Sequence, residues 1–399
     1  MRRHRSLTYR GAGALLAGVG CVIAANVLAA PILLYVAMLL FLLVILAVLV
    51  VHVPRRDGTV TRRISTDLLT VGEESVVAVR FDLRALRIPH GMWRDELPAA
   101  VSGDATGEFP TENGTHLRYS ITGIRRGVWS VGPLTLRTID PFGLAQREQQ
   151  FGEPRTITVV PEVIPLAPLS VNIGAAGGTA HTSSTRLGQG SDNLSPRHYV
   201  SGDSMRRIHW RATAHRGDLM VRQEEEESSP DALVILDRTA RRWNGEDGES
   251  DPAFETAVSA CASIALHLLH EGYSVDVLDS AGATLGTLRG HEDDRDDLLV
   301  ALAHVRPQGE AHDIVSLFDG TAPGPLVFIT GHLNEDDAGL FRHGGAAAPL
   351  LLTTQALPGA EDAAAAHGWS CAQLTDDIAS AWDNALPARL VTGGDHVTR

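Results

Sequence analysis

The stretch Arg186–Asp237, RLGQGSDNLSPRHYVSGDSMRRIHWRATAHRGDLMVRQEEEESSPDALVILD, divides a chain of 399 residues into two regimes. Before it come a long apolar segment and then a region with a period of two; after it, apolar runs alternate with helical periods. Within it, Arg197, Arg206, Arg207, Arg211, Arg216 and Arg222 are interleaved with His198, His209, His215, Tyr199 and Trp210, and Glu224–Glu227 follow at once. One reading has the ribbon fold back so that arginines pair with carboxylates, whose geometry suits the guanidinium fork. The other is a phosphate or nucleic-acid surface. The glutamate run would screen an approaching polyanion, which favours the first. Gly202-Asp203 before Ser204-Met205-Arg206-Arg207 predicts a turn into a helix N-capped by Asp203.

Length allows two or three domains with full cores. A net charge of −14, from 48 acidic against 34 basic residues, argues against a dedicated nucleic-acid binder and for an acidic cytoplasmic body. Cys21, Cys261 and Cys371 are far apart in apolar surroundings without C-x-x-C spacing, so they read as buried free thiols.

Residues 11–53 are almost uncharged, and at about 20 apolar residues per span they suffice for two membrane helices. Asn26 and Pro31 mark the turn, so the reading is a tight transmembrane hairpin. A basic tail (1–10, with Arg2, Arg3, Arg5 and Arg10) precedes it, and Arg55, Arg56, Arg62 and Arg63 follow it. The positive-inside tendency then places both termini in the cytoplasm of a protein that crosses the cell membrane twice. The rival is a signal peptide cleaved near Ala29-Ala30.

Over 57–165 the alternation in SVVAVRFDL (Val77, Val79, Phe81, Leu83) and THLRYSIT (Leu117, Tyr119, Ile121) predicts short strands. Turn signals at Asn113-Gly114, Arg126-Gly127 and Gly132-Pro133 suggest an antiparallel, immunoglobulin-like sandwich. Asp140 before Pro141 reads as a turn-former bonding its own backbone. Residues 166–190, rich in Gly, Ala, Ser and Thr, read as a flexible linker without a phosphate-cradling motif. Past the segment 191–230, residues 231–390 alternate βαβαβ: ALVILD, a helix over Pro252–His270, YSVDVLD, RDDLLVALAHV, PLVFIT and APLLLTTQ. GAEDAAAAHG and DDIASAWDNAL read as further helices and VTGGDHVTR as a frayed tail. This predicts an open parallel sheet with helices on both faces. In such sheets ligands bind beyond the carboxyl ends of the strands, where Asp237 stands. His267 and His270, beside Glu271, lack a third ligand and read as a partly exposed helix face.

The order Tyr199, Gly202-Asp203, Arg206-Arg207-Ile208-His209-Trp210, Ala212, Ala214, Gly217, Leu219 and Arg222 resembles the signature of the domain of unknown function 58 family. Arg125-Arg126-Gly127, Gly132-Pro133-Leu134 and Asp140-Pro141-Phe142-Gly143-Leu144 resemble further elements of that family. The resemblance implies the whole layout: transmembrane α-hairpin, all-β sandwich and an α/β domain like that of von Willebrand factor A. It also implies binding roles for Tyr199, Gly202, Asp203, Arg206, Arg207, His209, Trp210 and Arg222. That fold carries D-x-S-x-S for a divalent ion, and such an ion needs hard oxygen donors. Here Asp237 and Thr239 fit, but Arg241 replaces the second serine and Gly331 stands where a second-loop Asp is expected. The expectation is a degenerate site that binds neither Mg²⁺ nor Mn²⁺ and needs no cofactor, with an internal Asp237–Arg pair in its place.

The functional expectation is a membrane-anchored, cytoplasm-facing adaptor that works by binding partners rather than by catalysis. The resemblance implies association with MoxR-type AAA+ ATPases and with membrane proteins carrying a transglutaminase-like domain, docked around Asp237, Thr239 and the cationic ribbon. The alternatives are a metal-dependent hydrolase using Asp203, His209 and Asp237, and a weak nucleic-acid binder using Arg206, Arg207, Arg211 and Arg216.

Overall fold

The structure, a computed structural model, describes residues 6–52, 58–66, 68–83, 91–108, 116–169, 194–199, 205, 208, 210–224, 230–244, 251–309, 324–339 and 348–386. Gly202, Asp203, Arg206, Arg207 and His209 of the signature, most of the 166–190 segment, the Asn113-Gly114 turn and the C-terminal tail lie outside these residues, as do Arg2, Arg3, Arg5, Arg55 and Arg56. The chain divides into two compact units. One comprises Met1–Ile164, Val258–Ala262 and Arg295–Pro307; the other comprises Pro165–Ala257, Ser263–Asp294 and Gln308–Arg399.

The first unit begins with the apolar hairpin, α1 (Tyr9–Val27) and α2 (Ile32–His52), each long and apolar enough to cross a membrane. Thr8 caps α1, its hydroxyl accepting from the Gly11 N–H at 3.1 Å. The helices approach closely at Gly18, where a Cβ would come within 2.8 Å of the Phe41 ring. Asn26 is part of α1, with its amide donating to the Val22 carbonyl, so the turn falls on residues 28–31. A third helix meets the same length and hydropathy criteria, Pro252–His270, but 56% of its apolar window is buried in the protein, against 17% and 22% for α1 and α2. Burial of that extent marks it as a core helix rather than a lipid-facing one.

Among the described residues the β-region forms three sheets, one of them containing a parallel pair. Their strands are β1 (Gly58–Ile64), β2 (Leu68–Thr70), β3 (Glu74–Leu83), β4 (Gly91–Asp95), β5 (Val101–Gly103), β6 (Thr106–Glu108), β7 (His116–Gly123), β8 (Gly127–Val131), β9 (Leu134–Ile139), β10 (Gln146–Phe151) and β11 (Arg155–Val160). The orders are β1-β3-β7-β5, β10-β9-β4-β6 and β2-β11-β8. The short β2 leaves the line of β1 after Ser65 and runs parallel to β11, an arrangement that alternation alone cannot signal. The expected alternation holds where side chains are described: Val77, Val79, Leu117, Tyr119 and Ile121 are buried in one cluster with Trp93, Leu134, Leu136 and Ile157.

Arg62 does not serve as a flanking cytoplasmic charge. It is buried, and it grips Asp95 through Nε to Oδ2 at 3.0 Å and Nη2 to Oδ1 at 2.8 Å. Its Nη1 reaches the Glu153 carbonyl, and the Tyr119 hydroxyl donates to Asp95 at 2.6 Å. Burial, reinforced by that Asp95 bond, pushes the Tyr119 phenol well above its ordinary value. Arg126, also buried, donates to the Leu302 and Val305 carbonyls.

Asp140 makes the turn expected of it, accepting from Phe142 N–H at 2.8 Å and Ala145 N–H at 2.5 Å. The loop so formed grips the hairpin. Thr8 N–H donates to the Leu144 carbonyl, the Thr8 hydroxyl to the Gly143 carbonyl at 2.6 Å, and Gln146 N–H to the Ser6 carbonyl. Arg147 donates to the His52 carbonyl at the end of α2, and Ala145 packs with Ala47 and Val51.

The second unit contains a hairpin, β12 (Leu194–His198) with β13 (Met220–Glu224), that brackets helix α3 (Trp210–Arg216). It also contains a six-stranded sheet, ordered β16-β15-β14-β17-β18-β19. These strands are β14 (Asp231–Leu236), β15 (Ser274–Asp279), β16 (Thr284–Leu288), β17 (Pro325–Leu333), β18 (Ala348–Ala356) and β19 (Ser370–Gln373). All neighbours are parallel except β15 and β16. Strand β17 is buried almost throughout, as the continuous apolar run PLVFIT requires of a strand covered on both faces. One face packs Ile235, Phe328 and Leu351 against Ala360, Ala364 and Trp369. Helix Pro252–His270 begins as expected, with Asp251 as N-cap and proline in the first turn. The two edge strands, β16 and β19, are too short and polar to show a strand period. Residues 166–169, expected to be mobile, are instead held: Leu169 N–H donates to the Glu271 carboxylate at 2.7 Å, and the Trp382 indole donates to the Ala167 carbonyl.

Candidate functional site

The site with most chemistry lies where the apolar strand β14 ends. The Asp237 N–H still donates to the Ile329 carbonyl of β17, so the carboxylate stands at the carboxyl end of two adjacent parallel strands. In the sheet order, β14 is the first strand in sequence and β17 the fourth. The chain therefore proceeds outward on both sides of this pair, and such a switch point opens a crevice for ligands.

Here the crevice is filled from within. Asp237 is 0% exposed. Its Oδ1 accepts from the Thr239 N–H at 2.9 Å, and its Oδ2 accepts from the Thr330 hydroxyl at 2.9 Å. The Arg242 Nε lies 2.8 Å from the same Oδ2, an ion-pair distance although its N–H is not aligned for a hydrogen bond. Arg242, 5% exposed, bridges onward: its Nη1 is 3.1 Å from Asp337 Oδ2 and donates to the His332 carbonyl. A buried carboxylate is tolerated only when neutralised and hydrogen-bonded, and this one is both. Beside it Arg238 pairs with Asp279 at 3.0 Å, while its N–H donates to the Ser280 hydroxyl.

Local sequence explains the placement. After DALVIL, the Thr239–Arg242 step closes a short 3-10 turn over Ala240–Arg242, with Arg242 N–H donating to the Thr239 carbonyl. The turn sends Arg242 inward and leaves Arg241 exposed, so the arginine of the internal pair is Arg242. The Trp243 indole locks the turn by donating to the Asp237 carbonyl at 3.1 Å, and its ring meets Phe254 edge-on at 4.9 Å. Gly331 has an equally local cause. A Cβ there would collide with the Arg242 carbonyl, so neither Asp nor any other side chain fits while the turn packs against β17. Its carbonyl accepts from the buried Thr353 hydroxyl at 2.6 Å.

A divalent ion such as Mg²⁺ takes about six oxygens, waters included, and needs at least one or two carboxylates free to bind it. The Asp237 oxygens are engaged by Thr239, Thr330 and Arg242, Thr239 Oγ1 faces Ser280 Oγ at 3.5 Å, and the guanidinium stands between Asp237 and Asp337. The residues present do not fit Mg²⁺ or Mn²⁺. No group of three or more His, Cys, Asp or Glu arranged for a metal occurs among the described residues.

Asp237 and Thr239, at 0% and 1% exposure, cannot present a docking surface. Of the signature residues that are described, Tyr199 is half-buried, its N–H donating to the Leu219 carbonyl, and Arg222 lies on β13 opposite Pro196. Trp210 opens α3 at 68% exposure, next to Arg211, His215 and Arg216, all exposed. Arg211 and Arg216 make no ion pair among the described residues; the glutamates Glu225–Glu227, with which the fold-back reading would pair them, lie outside those residues. The hairpin beneath is anchored by Ile208, Met220 and Val221, all buried.

His267 and His270 form the partly exposed helix face expected of them. His267 is 3.3 Å from Glu271 and lies edge-on to Trp382, while His270 is exposed. The Cys261 thiol is fully buried, which pushes its pKa up to about 12. Cys371 is raised to about 11, by burial first and the nearby Glu361 second. Sequence reasoning reached Asp237 and Thr239 but missed Arg242, Thr330, Ser280 and Asp337. Only the adjacency of Arg241 and Arg242 hinted that either could turn inward.

Fold and site thus define a class: an apolar helical hairpin, a multi-sheet β-region, and an α/β region whose strand-end aspartate is held by the chain's own arginine. Residues 195–321 match the family described as Protein of unknown function DUF58, the family whose signature this stretch resembles. The chain is 25% identical over 250 residues to the uncharacterized protein YeaD of Bacillus subtilis (strain 168), covering 60% of this chain and 59% of that protein's length. Among solved structures, it is similar to domains 4 and 5 of the S-layer protein SbsC, at 7% identity and a TM-score of 0.16, over 27% of this chain and 53% of that one. It is also similar to a conjugative transposon lipoprotein from Bacteroides eggerthii DSM 20697, at 12% identity and a TM-score of 0.15, over 24% of this chain and 97% of that one. At those scores neither likeness bears on the fold.

Proposed function

We propose that the chain is a membrane-anchored, cytoplasm-facing interaction protein without catalytic activity. The observation that carries this reading is Asp237: the carboxylate set at the sheet's switch point is fully buried and bound by Arg242, Thr239 and Thr330. A general base or metal ligand must reach its substrate or ion, and this group reaches neither.

The sheet order, with a single antiparallel edge strand beside an otherwise parallel sheet, supports a von Willebrand factor A-like assignment. The β-region's single shared core supports an immunoglobulin-like one. On this reading Arg242 is a tethered substitute for the ion. Arg10 and the sequence charges Arg2, Arg3, Arg5, Arg55, Arg56 and Arg63 flank the hairpin and favour cytoplasmic termini; Arg62 contributes nothing to that bias. The partner surface is α3, where Trp210, Arg211 and Arg216 stand exposed, the arginines without an ion pair among the described residues. Tryptophan and arginine are the residue types that dominate binding energy. The family resemblance points to a MoxR-type AAA+ ATPase, with a transglutaminase-like membrane protein as second partner.

Crosslinking of the full chain in intact cells, followed by identification of attached chains, tests this. The expected result is an AAA+ ATPase that is lost with Trp210→Ala and kept with Cys371→Ser. Recovery of no ATPase, or one indifferent to Trp210, overturns the partner reading; turnover by the purified chain overturns the whole.

A further inference from the structure

The loop that grips the hairpin carries side chains its structural duty does not need. Asp140, Leu144 and Ala145 account for the grip, through the turn bonds and the packing against Ala47, Val48 and Val51. The Phe142 N–H joins the turn, but its side chain takes no part in the grip and is 60% exposed. Tyr9, in the first turn of α1, is 88% exposed, and Arg10 beside it is exposed too. The Arg10 guanidinium hangs over the loop: its Nη1 would lie 3.6 Å from a Cβ placed on Gly143. That glycine has a φ of 68°, so the loop backbone turns where a side chain would be strained.

The height of this loop follows from its bonds. It is hydrogen-bonded to Ser6 and Thr8 at the start of one apolar helix, and Arg147, on the strand that leaves it, is bonded to His52 at the end of the other. Both partners sit where an apolar span ends, which is the zone between hydrocarbon and water. Aromatic rings settle in that zone, with cationic side chains beside them reaching phosphates.

We propose that residues 140–147 form a membrane-interface site, in which Phe142 and Tyr9 enter the headgroup layer and Arg10 binds the phosphate of an anionic phospholipid. The site makes the β-region a peripheral membrane surface as well as a body carried on two helices. This rests on the membrane-anchoring reading of the hairpin.

The test uses the full chain in phosphatidylcholine vesicles with and without phosphatidylglycerol. A Phe142→Trp variant, read as the difference from wild type, should show emission that shallow brominated lipids quench and aqueous acrylamide does not. Arg10→Glu should reduce the enrichment of phosphatidylglycerol around the chain at least threefold, whereas exposed Arg118→Glu on β7 should not. If acrylamide quenches the indole introduced by Phe142→Trp as freely as it quenches a peptide's, in a chain that still floats with the vesicles, the proposal is overturned and the anchoring reading stays intact. A chain that does not float overturns both. Equal lipid enrichment in wild type and Arg10→Glu removes the phosphate contact.

Discussion

Each of the two units holds a buried arginine–aspartate pair, and the two pairs are built differently. In the β-region, Arg62 meets Asp95 with both prongs of its fork, and Tyr119 and the Glu153 carbonyl complete a closed set. In the α/β region, Arg242 meets Asp237 through Nε alone and turns its other prong to Asp337, whose side chain is 21% exposed. The first is an internal cross-brace between strands. The second lies at the rim of a sheet, with one cation between two carboxylates, and so resembles an ion site closed by the protein's own charge. What separates structural from functional placement is thus not the residue pair. It is whether the pair sits amid strands or at their carboxyl ends.

The largest effect that would sharpen this contrast is loss of the brace. Arg62→Ala leaves Asp95 buried and uncompensated, and a lone buried charge of this kind destabilises by about 3–5 kcal/mol. Chemical unfolding of the full chain in detergent should show this, and divalent ions should not restore it. Arg242→Ala should destabilise by about 3 kcal/mol, the lower end of that range, because Asp237 keeps its bonds from Thr239 and Thr330 and Asp337 can recover water. Here Mn²⁺ should return part of the lost stability, since Asp237 and Asp337 lose the cation that stood between them. If Mn²⁺ rescues both variants alike, or neither, the two pairs do not differ as described.

Next comes Gly331→Ala, which forces the 3-10 turn off β17 and should be destabilising by about 1–3 kcal/mol as an overpacked site. A loss of near-ultraviolet signal from Trp243 should accompany it. The smallest effect is acid sensitivity at two carboxylates near helix starts, Asp294, which accepts from the N–H groups of Arg289, Gly290 and His291, and the exposed N-cap Asp377. Asp294 is held below its ordinary pKa chiefly by the Arg289 N–H, and Asp377 chiefly by the Ser380 hydroxyl. Because the folded values are depressed, both contribute stability above the unfolded carboxylate pKa of about 4 and lose it as pH falls through the folded values. Asp294→Asn and Asp377→Asn should flatten the pH dependence of unfolding below about pH 5; an unchanged profile would remove these carboxylates from the account.

Much of the fold was legible from period and punctuation. The Pro252–His270 helix begins and ends where its cap and proline place it, and Asp140 forms the turn its neighbours imply. Legibility fell where a choice depended on tertiary contacts. Nothing in RTARRW shows that Arg242 rather than Arg241 turns inward; that is decided by a 3-10 turn locked through Trp243. Arg62 looked like a flanking charge because the sequence counts arginines near a span without knowing that one belongs to a strand facing Asp95. Strand β2 was hidden for a related reason: so short a strand cannot announce a parallel partner as distant in sequence as β11.

The grip of the loop after β9 on both ends of the hairpin has a mechanical consequence. A body joined to a bilayer by one strand of chain swivels freely, whereas one bolted at Ser6, Thr8 and His52 cannot. Tilt imposed on the helices, by a thinner bilayer or by a neighbour pressing on them, would be passed straight into the strands β9 and β10 as torque.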